Sequence, residues 1–397
     1  MNKNCPLSIP FLKLYVITFF FFSANPILNI IVPLRGEAEG ASNAEIGVMM
    51  GAYMITSMLF RPWAGSIVHR FGPLSVLRAL LLANGLILIL YTTSELDWYF
   101  ALRAMQGVTT AFFSLSLQIG IVDTLPDNER SQGISLYLLA GMLPAVVGPI
   151  MALTLWDWGG MNAFSATIII IALATGIIGY TAPLPSGSQG HPDKQQLEMS
   201  MLSQFRQLWT HRAFLVSSTA MLIASVTFGA VTTFIALYAK QSGVGHAGIY
   251  LMLQAVVMVF CRFALRKRVP SDGQWHPRFV IGLLLSMAIG LKLLALAVYC
   301  GASFMYAGSI LIGLGMALLY PHLVTYLTFV LPMSSRNTLI GLFIAVSDLG
   351  LVLGNMAMGT IADYLSYSYM YGICAGLLLI SIAIILISGR RLTIRSE

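Results

Sequence analysis

Apolar residues dominate the chain in twelve long runs, which short polar segments separate. The runs lie near residues 12–34, 45–68, 72–93, 98–123, 131–155, 161–183, 212–239, 244–266, 277–300, 303–330, 337–361 and 366–388. About 20 mostly apolar residues in a helix cross the hydrocarbon core of a bilayer. The pattern therefore predicts an all-α membrane protein with twelve transmembrane helices.

The two halves of the chain repeat each other at a constant separation in sequence, equal to the number of positions from Gly107 to Gly313. Further residues recur at the same separation: Leu125-Pro126 as Leu331-Pro332, Arg130 as Arg336, Gly148 as Gly354, and Asp157 as Asp363. Parallel repeats of this kind build many secondary transporters. We expect two pseudo-symmetric six-helix bundles, at residues 1–183 and 212–397, joined by a polar cytoplasmic linker at 184–211.

Composition and charge agree with a membrane protein. The chain is 57% hydrophobic and 9% charged, whereas soluble domains carry about 25% charged residues. Arginines and lysines concentrate in the loops on one side of the predicted helices, with Arg35 and Lys240 as the clear exceptions. The positive-inside rule then places both termini in the cytoplasm of a cell-membrane protein. The net charge of +7 is explained by inner loops that face anionic lipid, so no nucleic-acid partner is expected.

Enzymatic chemistry finds no support in the residue pattern. The four cysteines are scattered without metal-ligand spacing, and no phosphate-binding glycine loop is present. Apart from the linker, the loops leave no room for a soluble catalytic domain. We therefore expect no cofactor, no metal site and no enzyme. If the protein moves a solute uphill, the energy comes from an ion gradient.

Three motifs follow one another in the first half. They are Arg61-Pro-Trp-Ala-Gly65 through Gly72, Leu102-Arg103-Ala-Met-Gln106-Gly107, and Gly141-Met-Leu-Pro144 through Gly148-Pro149. In this order they resemble the three signatures of the major facilitator superfamily, in particular its twelve-helix drug and metabolite exporter branch. His69 stands where that family usually has an acid, and Pro144 where it has a glycine.

Small residues in these motifs have a physical role. Gly65 and Gly72 are expected to allow, respectively, a close approach of helices and a tight inner turn. Gly148-Pro149 is expected to let the fifth helix bend and pack against a partner.

Five ionisable residues lie away from the ends of the predicted helices. They are Arg61, Arg103, Lys292, His322 and Asp348. Such residues are costly in a bilayer and are functional candidates by default. Three permanent cations against one carboxylate indicate an electropositive interior, suited to a substrate with carboxylates. We predict Arg61 and Arg103 as substrate anchors and Asp348 as the proton-coupling group. In the alternative interpretation Arg61 and Lys292 reach the headgroups, and His322 is a packing histidine.

The resemblance also implies which residues face the substrate. In this family the first, fourth, seventh and tenth helices line a central cavity. That implies a substrate-binding set of Asn25, Asn29, Arg61, Arg103, Gln118, Tyr320 and His322. We expect the cytoplasmic gate to involve His69, Arg70, Arg130 and Arg336, whose repeat-related arginines lie at inner helix ends.

A narrower similarity concerns substrate class. The segments Phe20 to Pro26, Val32 to Gly36 and Gly40 to Gly47 resemble the bacterial exporters of staphylopine-type opine metallophores. We expect a monomeric, proton-coupled exporter of a small carboxylate-bearing metabolite, with an opine-type metallophore as the first candidate. A multidrug efflux transporter and a proton-coupled importer remain the alternatives. A non-transporting receptor and an intramembrane enzyme are less well supported by the residues.

Overall fold

The computed structural model describes residues 8–182, 184, 212–265, 268–270, 272–331 and 336–393. The predicted linker at 184–211 falls outside these residues except for Leu184. Eleven long helices are present in the described part: α1 (Ile9–Ala38), α2 (Asn43–Phe71), α3 (Pro73–Thr93), α4 (Tyr99–Thr124), α5 (Asp127–Tyr180), α6 (Arg212–Ser242), α7 (Ala247–Ala264), α8 (Pro277–Cys300), α9 (Ala302–Val330), α10 (Arg336–Tyr364) and α11 (Tyr367–Thr393).

The helices account for the twelve predicted crossings, and the all-α membrane fold is confirmed. Nine segments among the described residues are long and apolar enough to cross a bilayer, and one of them, Gln132–Tyr180, has 49 residues. That length suffices for two crossings. The other two long helices are α2 and α4, which carry Arg61 and Arg103 within their length.

Helix α5 reverses direction at one glycine instead of at a loop. Gly160 has φ 53° and ψ −134°, a conformation outside the helical range. A Cβ on Gly133, near the start of α5, would meet Leu125, and a Cβ on Gly120 would meet Leu184, just beyond the end of α5. Both ends of α5 therefore reach the C-terminal end of α4. Since 54 straight helical residues would span about 80 Å, the chain folds back at Gly160.

The N-terminal unit packs around α1, α3, α4 and α5. Helix α1 contacts α5 extensively, and α3 contacts both α4 and α5. A core of buried apolar side chains joins these four helices, and within it Phe21 and Phe113 stack with ring centroids 3.7 Å apart. Gly72, with φ 79°, makes the tight turn before α3, as expected. The close approach expected at Gly65 is not present, because a Cβ there would meet nothing within 4 Å.

The C-terminal unit repeats this packing. Helix α6 contacts α10, and α8 contacts both α9 and α11, which are the same pairings as in the first unit. The repeat glycines explain why. A Cβ on Gly148 would meet Pro26 of α1 at 2.6 Å, and one on Gly354 would meet the Val226 carbonyl of α6. Glycine at each position lets the two helices touch, as small residues do in membrane proteins.

The two compact units do not follow the order of the sequence. One comprises Met1–Ala41 and Val48–Pro192, and the other comprises Ser42–Gly47 and Asp193–Glu397. In the second unit the Asp363 carboxylate accepts hydrogen bonds from the backbone N–H groups of Asn43 and Ala44, each at 2.8 Å. Tyr367 donates its hydroxyl to Asn43 Oδ1 at 2.6 Å. The first turn of α2 is thus held by residues of α10 and α11.

Candidate functional site

Arg103 is the centre of a polar cluster inside the N-terminal unit. It is the fifth residue of α4 and has 0% of its surface exposed. Its Nη2 donates to Asn29 Oδ1 at 2.6 Å and contacts Met50 Sδ at 3.1 Å, and its Nη1 donates to Gln106 Oε1 at 3.3 Å. The guanidinium carbon lies 5.6 Å from the centre of the Tyr53 ring. The structure thus joins Asn29 to Arg103, two residues that the sequence predicts in one site.

A second layer of neutral groups supports these partners. Asn25 Nδ2 donates to the Tyr53 hydroxyl at 2.5 Å, and Gln106 Nε2 donates to Asn25 Oδ1 at 3.4 Å. The buried Tyr91 hydroxyl donates to Gln106 Oε1 at 3.3 Å. Asn25 and Asn29 are half-buried, so they lie between the enclosed guanidinium and the accessible surface.

The charge of Arg103 is not matched by a carboxylate in the described part of the chain. It contacts only electrically neutral groups, namely the side-chain amides of Asn29 and Gln106, the thioether of Met50 and the ring of Tyr53. Its Nε has no hydrogen-bond partner among the described residues. A buried cation held only by dipoles retains much of its desolvation cost. The cluster can therefore lower its free energy by taking an anion.

A tyrosine stack leads from this cluster toward the end of α1. Tyr91 and Tyr99 pack edge to face with centroids 5.0 Å apart, and the Tyr99 hydroxyl donates to the Tyr91 carbonyl at 2.7 Å. Arg35 hydrogen-bonds the same Tyr99 hydroxyl and pairs with Glu39 at 2.5 Å. Arg35 thus has a carboxylate partner, whereas Arg103 does not.

Arg61 and Gln118 belong to a different group of residues. The side chains of Ser114 and Gln118 lie at the Tyr137 hydroxyl, on which the charge of Arg61 also acts. Arg61 is exposed and makes further contacts of its own. Gln118 is 15 residues beyond Arg103 on α4, or about 22 Å along the helix. The structure therefore separates the two predicted arginine anchors.

In the C-terminal unit, Asp348 lies near the middle of α10 and is half-buried. The preceding Ser347 hydroxyl lies 3.0 Å from the Ser225 hydroxyl of α6, so this part of α10 packs closely on α6. Tyr320 lies on α9, with its ring 6.1 Å from that of Phe343 and with an electrostatic interaction with Arg262. Tyr320 thus packs against α10, the helix that carries Asp348.

His322 has the surroundings of a packed side chain. It is buried, its Nδ1 lies 3.2 Å from the Pro270 carbonyl, and its ring meets Phe279 edge on at 4.9 Å. Nearby, Asp272 and His276 form an ion pair at 2.8 Å, and this hydrogen bond holds the pKa of Asp272 below its usual value. These contacts do not join His322 to Tyr320 or to the other predicted substrate-binding residues.

The predicted gate residues are only partly described. Arg130 Nε donates to the Leu125 carbonyl at 3.2 Å, where α4 ends. Arg70 is exposed and stacks on the Phe71 ring at 5.3 Å. The side chains of His69 and Arg336 lie outside the described residues. Cationic side chains at helix C-termini interact favourably with the helix dipole, which is the contact that Arg130 makes.

The sequence interpretation omitted Tyr53, Tyr91, Met50 and Gln106 from the site. Gln106 had a usable signal, because it follows Arg103 by three residues and therefore shares its helix face. The two tyrosines and the methionine come from other helices and have no such signal. Among the described residues, no group of three potential ligands could hold a metal ion.

Comparison with known proteins gives consistent matches. Residues 14–291 match the model of the family described as Major Facilitator Superfamily. The staphylopine export protein of Staphylococcus aureus is 46% identical over 376 residues, covering 94% of each protein. An uncharacterized MFS-type transporter of Escherichia coli, YhhS, is 21% identical over 94% of this chain and 91% of that protein.

Solved structures with the same fold are more distant in sequence. A bacterial homologue of the human lysosomal transporter Spinster superposes with a TM-score of 0.75 at 13% identity, over 96% of each chain. The nucleoside transporter NupG superposes with a TM-score of 0.69 at 14% identity, over 96% of this chain and 99% of that one. At these identities the likeness concerns the fold alone.

Proposed function

Because this chain belongs to the major facilitator superfamily, we propose that it is a proton-coupled exporter of an opine-type metallophore such as staphylopine. The observation that carries the proposal is the 46% identity with the staphylopine export protein, which extends over 94% of both chains. Similarity over 94% of this chain extends far beyond any single helix or motif. The substrate is accordingly a small molecule with several carboxylates.

Arg103 supports a carboxylate-bearing substrate on physical grounds. A substrate carboxylate would provide the negative charge that the surrounding amides and rings do not supply. Guanidinium groups bind carboxylates through two parallel hydrogen bonds, which gives direction as well as energy. Asn25 and Asn29 would receive the substrate first, since they are half-exposed. Binding would then exchange the Asn29 contact of Arg103 for a charged one.

Asp348 is the proposed proton-coupling group. A carboxylate in the middle of a membrane-spanning helix changes its charge when it takes up or releases a proton. A transporter couples two solutes when each binds one of its two states better than the other. Protonation of Asp348 would favour one state and a bound carboxylate substrate the other. The gate residues Arg70 and Arg130, with His69 and Arg336, would open and close the cytoplasmic side.

Everted membrane vesicles test this function directly. We expect staphylopine to accumulate when the vesicle interior is acidified and to leave when a protonophore is added. Asp348→Asn should abolish accumulation and leave exchange of labelled for unlabelled substrate intact, while Asp348→Glu retains a titrating group and some accumulation. Accumulation without a gradient would reject proton coupling. Accumulation of ethidium in place of staphylopine would favour a multidrug transporter, and movement only in the opposite direction an importer.

A further inference from the structure

A cavity of about 450 Å³ lies in the C-terminal unit, and its lining includes none of the predicted substrate-binding, proton-coupling and gate residues. It is formed by the end of α6, the second half of α8 and the start of α11. Its polar lining includes Lys292, Tyr238, Tyr299, Ser366, Ser368 and Tyr369. The cavity thus combines one permanent cation with hydroxyl groups and aromatic rings.

Lys292 faces away from the protein core. It is exposed on the same stripe of α8 as Leu285 and Ile289, which are also exposed although they are apolar. Exposed apolar residues on a membrane-spanning helix face lipid, so Lys292 lies in the lipid-facing surface. It has no hydrogen-bond or salt-bridge partner in the part of the chain that the structure describes.

The depth of Lys292 brings its ammonium group near the membrane interface. It precedes the last residue of α8, Cys300, by eight positions, or about 12 Å along the helix. A lysine side chain can extend along an apolar surface toward the headgroups. Tyr299 and Tyr369, at the rim of the cavity, are 83% and 70% exposed. Tyrosines in such positions mark the interface between bilayer and water.

A second positive feature points into the same space. The first turn of α11 lines the cavity through Ser366, Ser368 and Tyr369, and a helix N-terminus carries partial positive charge. Ser366 Oγ accepts a hydrogen bond from the Tyr369 backbone N–H, which leaves its own proton available to an acceptor. Lysine, hydroxyl donors and a helix N-terminus are together the groups that bind phosphate.

We propose that this cavity binds the headgroup of an anionic phospholipid, with phosphatidylglycerol as the chemical type. Lys292 pairs with the phosphate, and the Ser366 hydroxyl at the start of α11 donates to one of its oxygens. The acyl chains extend along the apolar stripes that lead away from the cavity, through Leu285 and Ile289 on α8 and through Ile373 and Ile380 on α11, all of them exposed. This binding is independent of the transported substrate.

The chain offers matched variants for a test. Lys292→Gln removes the charge, and Lys292→Arg retains it. A Cβ at Gly372, which lines the cavity, would meet nothing within 4 Å, and the same holds for Gly376, one turn further on and outside the lining. Gly372→Phe therefore fills the cavity, and Gly376→Phe adds the same ring elsewhere on α11. None of the four changes removes a packed side chain.

The measurement is lipid binding to the purified full-length protein, by native mass spectrometry of complexes retained from mixed phosphatidylglycerol and phosphatidylcholine. We expect wild type to prefer phosphatidylglycerol, and Lys292→Gln and Gly372→Phe to lower this preference about fivefold to tenfold. Lys292→Arg and Gly376→Phe should keep it. An unchanged preference in Lys292→Gln would overturn the proposal. Displacement of the lipid by millimolar inorganic phosphate would also overturn it, because the site would then be one for soluble anions.

Discussion

Among single residues, Arg103 has the most unusual surroundings, because its charge is enclosed by neutral partners. A structural arginine in a membrane protein normally pairs with an acid or lies in a wet cavity. Arg35 follows that rule through Glu39, and Arg103 does not. The contrast suggests that Arg103 is kept for a ligand and not for the stability of the fold.

Replacing Arg103 tests this distinction between binding and stability. In Arg103→Met, we expect the melting temperature of the ligand-free protein to stay the same or to rise, since an apolar chain replaces a buried charge. Binding of a carboxylate substrate should weaken by about 2–5 kcal/mol, whereas binding of its ester should change little. Thermal shift measurements with both ligands, and with Arg103→Lys as control, decide the matter. If Arg103→Met greatly lowers the melting temperature and weakens binding of the acid and of the ester equally, Arg103 has a structural role and does not bind the carboxylate.

Sequence reasoning reached part of this site. Asn25 and Asn29 followed from the family resemblance, which implies that the first helix lines the cavity, and Arg103 was identifiable as an ionisable residue within a predicted crossing. Tyr53 and Tyr91 were not, since an amphipathic ring serves equally in packing and in hydrogen bonding. For His322 the role in substrate binding stays a prediction, and its contacts are those of a packed side chain. Helix α9 buries residues on most of its surface, so periodicity does not indicate which face meets a substrate.

At the scale of helices, α5 differs most from the prediction. Two crossings with a loop were expected at 156–160, and the structure has a reversal at Gly160 alone. The dipeptide Gly159-Gly160 is a turn signal. Periodicity could not show how few residues the turn needs, because apolar residues continue close to it on both sides. Helix ends are accordingly the least predictable part of this fold.

Alanine at Gly160 should therefore be costly. Its positive φ with ψ near −134° suits glycine alone, and other residues are strained there by about 1–3 kcal/mol. Gly176→Ala is the control, because Gly176 lies in the same helix with nothing within 4 Å of an added Cβ, and alanine favours helix. Thermal unfolding in detergent should show a lower melting temperature for Gly160→Ala only. Equal melting temperatures for both variants would mean that the turn adapts.

The start of α2 depends on a residue from another helix. Asp363 binds the N–H groups of Asn43 and Ala44, where an anion also complements the helix dipole. Asp157, its counterpart in the repeat, is exposed and makes no hydrogen bond within the described residues. The sequence repeat thus does not extend to this contact. The two aspartates are a natural pair of test and control.

Removal of the Asp363 carboxylate should loosen the first turn of α2. In Asp363→Ala, we expect faster amide hydrogen exchange across residues 42–47, since two N–H groups lose their acceptor. Asp157→Ala should leave exchange in its own region unchanged. Peptide-resolved mass spectrometry measures both variants against wild type. Unaltered exchange at residues 42–47 would show that side-chain packing alone, for example at Gly47 and Gly359, holds this turn.

For the whole molecule, the twofold repeat was the most informative feature of the sequence. It predicted the two groups of helices because paired glycines at equal offset impose equal helix contacts, as at Gly148 and Gly354. It did not predict that Ser42–Gly47 join the second unit, since that depends on Asp363 and Tyr367, far away in sequence. Orientation in the membrane rests on the loop charges and stays a prediction.

Natural cysteines allow this orientation to be measured. Cys300, at the end of α8, is exposed, and Cys261 and Cys374 are buried. If both termini are cytoplasmic, a membrane-impermeant maleimide should label Cys300 in intact cells, in a Cys5→Ser background. A second variant combines Cys300→Ser with Gln274→Cys, since Gln274 is exposed and lies just before the opposite end of α8. Its new cysteine should react with the maleimide only after permeabilisation. The reverse pattern would invert the proposed topology.

The contacts of Asn43 with Asp363 and Tyr367 also predict what happens when the polypeptide is expressed as two separate fragments. A gene cut within the linker would produce two fragments that match the repeats of the sequence and not the compact units. The C-terminal fragment would lack the six residues Ser42–Gly47, which its own helices bind. Fragment complementation should therefore require both products in the same membrane. The N-terminal half of the polypeptide then acts as an assembly factor for the C-terminal half.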